Sequence, residues 1–152
     1  MTSSEILKNT PLANETPEKK YNDVLLEDHH HVVRYLYPNW WKKKTNELRI
    51  KAFELRPKDE GFVSCNWFEY HNDMEKVKQD IKLDKDPEGK YAYLAVKEIK
   101  EVGAQSGLDL SVKWVSFTDS HSGIFNIDNN IDFLTDMAAF VTRKLREQQE
   151  NN

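Results

Sequence analysis

His31 and Arg34 stand three residues apart in His-His-His-Val-Val-Arg, and His121 stands far downstream in Ser-His-Ser-Gly. An imidazole moves protons near neutral pH, and a guanidinium grips a phosphate or carboxylate through two parallel hydrogen bonds. Together they are equipment for phosphoryl or nucleotidyl transfer, with Ser64, Cys65 or Ser122 as the nucleophile. On a helix, His31 and Arg34 share one face, and a loop carrying His121 has only to fold over it. The competing reading is plain: His29 and His30 are solvated, His31 and His121 bond locally, and Arg34 pairs with a carboxylate. Nothing in the spacing forces the three side chains together, so this plain reading has the greater claim.

The same histidines suggest a metal site made of His29, His31 and His121 with Asp119 or Asp28, which are ligands that suit a transition metal. A histidine run binds metal weakly without purpose more often than with it. Cys65 is the only cysteine, which excludes a thiolate zinc site within one chain and any internal disulfide. The expectation is no metal and no cofactor.

A second constellation is basic and aromatic. Tyr35, Tyr37, Trp40 and Trp41 are interleaved with Arg34, Lys42, Lys43, Lys44 and Arg49. Lysines neutralise phosphates and rings stack on unpaired bases, so the block has the look of a single-strand nucleic-acid binder. Tyr and Trp are also the usual anchors of protein interfaces. The plainest use is to cover the edge of the core, with three lysines in a solvated turn. Among partners, another protein or a second copy of this chain is favoured over nucleic acid.

Elements must position these groups. Val32, Val33 and Leu36, ahead of Pro38, fit a helix over 28–37, since the residue before proline resists the α region. Leu48 to Leu55 alternates like a half-buried strand, and Phe62 to Phe68 forms a second strand after the Pro57–Gly61 turn. Small polar residues in Val63-Ser64-Cys65-Asn66-Trp67 either line a pocket or mark a polar sheet face, the latter being the simpler. Asn72 or Asp73 caps a helix carrying Met74, Val77 and Ile81. Tyr91–Val96 and Leu110–Phe117 are strands, 97–102 is ambiguous, and 118–130 is a long polar loop. Ile131, Leu134, Ala138, Val141 and Leu145 keep helical spacing after the capping cluster Asp128, Asn129 and Asn130.

The sum is an α+β fold: a mostly antiparallel sheet of about four strands with packed helices, the last one amphipathic. Residues 1–20 read as a flexible tail and 21–148 as one domain, sensible for 152 residues. The net charge is −4, yet residues 29–58 alone carry 8 basic and 2 acidic side chains. No stretch is apolar enough to span a membrane, and the N-terminus lacks the basic start and apolar run of a signal peptide, so the expected location is cytoplasmic. The motifs GxGxxG, GxxxxGK[ST], GxSxG, HExxH and CxxC are missing, which removes the well-marked nucleotide-binding and hydrolase classes.

Three segments, His31–Tyr35, Leu55–Trp67 and Asp119–Ile124, resemble stretches of small bacterial proteins. The resemblance spans 31–125 and implies weight on His31, Arg34, Ser64 and His121 without implying a reaction. With no catalytic signature, the leading expectation is a non-catalytic interaction module using Tyr35–Trp41 and Lys42–Lys44. The alternatives are a phosphoryl- or nucleotidyl-directed enzyme using His31, Arg34, His121 and Ser64, and a single-strand nucleic-acid binder.

Overall fold

The computed structural model describes residues 22–57, 59, 61–81 and 88–150. The expected tail at 1–20 lies outside them, as does most of the 84–90 loop. Among the described residues the chain is α+β, as its pattern implies. The main sheet has six strands rather than about four, in the order β1-β7-β8-β5-β2-β6. These are β1 (Val24–Leu25), β2 (His31–Leu36), β5 (Phe62–Trp67), β6 (Lys90–Ala95), β7 (Ser111–Trp114) and β8 (His121–Phe125). Every pairing in it is antiparallel. A separate short hairpin joins β3 (Trp41–Lys42) to β4 (Glu47–Leu48).

The extra strands come from segments whose pattern misleads. Residues 31–36 form a strand, not the expected helix. β2 lies between β5 and β6 and is buried on both faces, so its apolar residues run on instead of alternating. Its β-branched Val32 and Val33 favour that outcome. The expected loop at 118–130 contains β8, which hides behind Ser122 and Gly123. Ser122 is fully buried and its hydroxyl donates to the Ser120 carbonyl, so burial costs it little. Conversely, the alternating run 48–55 is not a strand. Only Leu48 pairs, with Trp41, and Ile50–Phe53 is a 3-10 turn that buries Ala52 and Phe53.

Three helices complete the described fold: α1 (Met74–Ile81), α2 (Val96–Gln105) and α3 (Ile131–Glu150). Asp73 Oδ1 accepts the amides of Glu75 and Lys76, capping α1, and Asn130 Oδ1 accepts those of Asp132 and Phe133, capping α3. The ambiguous 97–102 stretch belongs to α2, where the Ala95 amide donates to Glu98 Oε1 at its start. The apolar stripe of α3 packs Phe133, Met137 and Val141 into a cluster with Val32, Leu36, Leu94 and Ile124. Each such side chain contributes about 1.5–3 kcal/mol by leaving water. Val33 and Val77 are equally buried but stand outside that cluster. Val33 alternates with Val32, so a thinner apolar layer lies on the sheet's other side, beneath α1.

No helix among the described residues is long and apolar enough to cross a membrane.

Candidate functional site

The ladder between β2 and β5 is short. It joins Val32 to Trp67 and Val33 to Asn66, whereas β2 continues along β6 for its full length. Beyond Val33 the two strands part, and the Arg34 side chain occupies the gap. Its Nε (3.1 Å) and one terminal nitrogen donate to the Ala52 carbonyl, and the other terminal nitrogen donates to the Ser64 carbonyl. The guanidinium also lies 5.0 Å from the Trp40 ring centroid and 5.2 Å from that of Phe53. Burial pushes its pKa down to about 10, against the opposing influences of Cys65 and Asp59. Among the described residues it has no carboxylate within ion-pair distance.

The opening at this gap is a cleft of about 450 Å³. Arg34, Ser64, His121, Tyr35, Tyr37 and Trp40 line it, together with Asp80 and Asp119. Ser64 and His121 meet because β5 pairs with β8. Ser64 faces Gly123 and Asn66 faces His121, so Ser64 and His121 are diagonal neighbours on one side of the sheet. Ser64 Oγ and His121 Nε2 are 3.1 Å apart. The bare Gly123 admits the Phe62 ring, whose nearest atom would lie 2.3 Å from a Cβ built there. Cys65 is on the opposite, core-facing side, where burial pushes its thiol up to about 12. It is a packing residue, not a nucleophile.

Residue 121 is held from behind. The Ser120 amide and hydroxyl both donate to Asp80 Oδ2, and Asn66 Nδ2 donates to Ser120 Oγ. His71 Nε2 lies 2.8 Å from the same carboxylate oxygen. Burial works to raise the Asp80 carboxyl, but the Ser120 and His71 bonds outweigh it and hold it below the usual range. Asp119 Oδ1 accepts the His121 amide. The Asp80 carboxylate therefore ties α1 to the peptide that carries His121.

Of the expected catalytic set, the fold brings Arg34, Ser64 and His121 to one cleft and leaves His31 out. On a strand, residues three apart point to opposite faces, so the face that a helix would give His31 and Arg34 does not exist. His31 instead binds Glu69 twice, through its amide and through Nδ1, each at 2.7 Å, and stacks on Tyr93. The expected binding set divides as well. Tyr35, Tyr37 and Trp40 line the cleft, whereas Trp41, Lys42, Lys43 and Lys44 line a separate groove of about 620 Å³. Tyr35 is buried, and Trp40 and Trp41 pack partly against the core.

The metal set considered from sequence divides too. His31 is on Glu69 and His121 on Ser64, while the cluster assembled among the described residues is Glu27, His29 and His30, ligand atoms within 4.8 Å. There His30 Nδ1 already accepts the Glu27 amide, which opposes the Nδ1–H tautomer that coordination through Nε2 requires.

Sequence reasoning missed Asp80 and Gly123. Asp80 did carry a signal: a carboxylate in the last turn of α1 opposes the helix dipole and so calls for a tertiary partner. No family model matches this chain, nor does any curated protein or solved structure.

Proposed function

We propose that this protein is a small phosphate-directed enzyme whose reaction runs in the Arg34 cleft. The observation carrying this reading is the 3.1 Å Ser64–His121 contact beside a guanidinium without a carboxylate partner. A guanidinium has five N–H donors. Arg34 uses three on the Ala52 and Ser64 carbonyls, which leaves two for a ligand's oxygens. Half-buried and unneutralised, it favours an anion strongly. The other cleft charges are engaged elsewhere: Arg56 with Asp59, Asp80 with Ser120 and His71, and Asp119 with the His121 amide.

With Nε2 unprotonated, His121 takes the hydroxyl proton as Ser64 Oγ attacks phosphorus. The Oγ–P bond forms, the bond to the leaving oxygen breaks, and His121 gives its proton to that oxygen. Water then attacks the phosphoserine, His121 accepts its proton, and the Ser64 hydroxyl is restored on the proton's return. Arg34 holds the non-bridging oxygens throughout and Asp80 keeps residue 121 in place. His31 has no part in it.

The test is hydrolysis of p-nitrophenyl phosphate and bis(p-nitrophenyl) phosphate. Ser64→Ala and His121→Gln are each expected to lower kcat about 10²- to 10⁴-fold without unfolding the protein. Wild-type protein inert towards both esters, or variants as active as wild type, would defeat the proposal.

A protein-binding role is the second reading, and one observation favours it. Strand β1 is an edge among the described residues, with Val24 and Leu25 exposed. A second copy or a partner strand could extend the sheet there, rather than at Trp40 and Trp41. Light scattering checks it: a dimer that Leu25→Lys converts to monomer supports it, and a wild-type monomer removes the homo-oligomer.

A further inference from the structure

The groove beside the cleft carries a concentration of positive charge. It is lined by Pro38, Trp41, Lys42, Lys43, Lys44 and Arg49 on and around the β3–β4 hairpin. None of these four cations has an ion-pair partner among the described residues, although Glu47 stands opposite Lys42 in the hairpin. Two more cations border it: Lys90 Nζ is 4.6 Å from the Trp41 ring centroid, and Arg146 donates to the Thr45 carbonyl. In a protein of net charge −4, this concentration is costly through self-repulsion and fits an anionic partner.

The groove and the cleft are neighbours. Tyr37 and Trp40 line the cleft, whereas Pro38 and Trp41 line the groove, so a single 3-10 turn, Pro38–Trp40, divides them. We infer that the substrate is a single-stranded nucleic acid, its backbone tracked by Lys42, Lys43, Lys44 and Arg49 and one of its phosphates delivered to Arg34. This rests on the phosphate-directed reading of the cleft and adds the substrate class. A strand fits better than a small phosphate ester, which would need no second basic surface. It fits better than a duplex because Tyr37 and Trp40 at the cleft and Trp41 at the groove offer rings for stacking to unpaired bases.

Fluorescence anisotropy tests it on the full chain, using a labelled DNA or RNA strand of about 12 nucleotides, a length single-strand binders cover. Five phosphate contacts, four in the groove and one at Arg34, give a salt slope near −3.5, so affinity is expected to fall about 100-fold between about 50 and 200 mM salt. In Lys42→Gln/Lys43→Gln/Lys44→Gln the slope is expected to shrink to about −1.4, the share of Arg49 and Arg34. Arg49→Gln alone is expected to shrink the slope by about 0.7, which covers the case of a triple variant that does not fold. Absent or salt-insensitive binding overturns the inference, as does equal or tighter binding of a duplex or of a polyglutamate peptide. The two levels separate cleanly. Protein that hydrolyses bis(p-nitrophenyl) phosphate but ignores the strand refutes the nucleic-acid substrate and leaves the cleft chemistry standing. Protein that binds the strand yet hydrolyses no ester refutes the cleft chemistry, and with it the strand as substrate.

Discussion

Replacing Arg34 by Met separates a structural guanidinium from one kept for a ligand. Burial moves Arg34 from 12.5 to about 10, a gross cost of about 3 kcal/mol for holding the charge inside. Arg34 is only half-buried, so solvent screening cuts that to about 2 kcal/mol. Against this, the side chain supplies donors to the Ala52 and Ser64 carbonyls, and an orphaned carbonyl costs about 1–3 kcal/mol unless water replaces the donor. The Ser64 carbonyl borders the cleft, where water replaces it. The two effects nearly offset, so Arg34→Met is expected to unfold in urea within about 2 kcal/mol of wild type. Inorganic phosphate then discriminates. At about 100 times its Kd it stabilises a binding protein by about 2.7 kcal/mol, or about 5–10 °C in Tm at this chain length. Wild type should show that shift and Arg34→Met should not. A variant that keeps the phosphate shift, or one that loses more than about 4 kcal/mol, would refute the reasoning, since the anion would then sit elsewhere or the guanidinium would be a strut.

Asp80→Ala leaves the Ser120 amide and hydroxyl without their acceptor and is expected to cost about 2–3 kcal/mol, measured by urea unfolding, with a fall in ester turnover as residue 121 shifts. Because the folded Asp80 titrates below its unfolded value of 3.8, its stabilisation is present above that pH and disappears as pH falls through the lower folded value, so wild type and variant should converge in acid. The Cys65 thiol should resist Ellman's reagent in the folded protein. Its rise from 9.0 to about 12 adds stability below pH 9 that is lost between those values, so Cys65→Ala should show a shallower alkaline decline. Gly123→Ala drives a methyl into the Phe62 ring and should cost about 1–3 kcal/mol, with reduced turnover because Ser64 lies opposite.

Much of the fold is legible in the sequence where one face is buried and the other wet. The α1 and α3 helices, with their Asp73 and Asn130 caps, and the β5, β6 and β7 strands follow from period and turn chemistry. The failures share a cause. β2 is buried on both faces, so its continuous apolar run imitates a helix, and β8 is built from His, Ser and Gly whose burial depends on partners in β5 and β7. The site was half legible for the same reason. Arg34, Ser64 and His121 stand out by residue type, and the diagonal that joins the last two is a matter of register between strands 57 residues apart. The misplaced helix also put His31 and Arg34 on one face: a period of 3.6 and a period of 2 give opposite answers for residues three apart.

The two-rung ladder between β2 and β5 divides the sheet into a β2–β6 pair and a β5–β8–β7–β1 band. A boundary with so few cross-strand bonds is where cooperative opening units part. Amides flanking Arg34 should therefore exchange with deuterium faster than those of the β5–β8 ladder, by local gaping of the seam rather than by global unfolding. A ligand gripped by Arg34 on one side and by Ser64 and His121 on the other would span that line and suture it. Binding should then slow exchange along both lips of the seam at once, including at positions the ligand never touches.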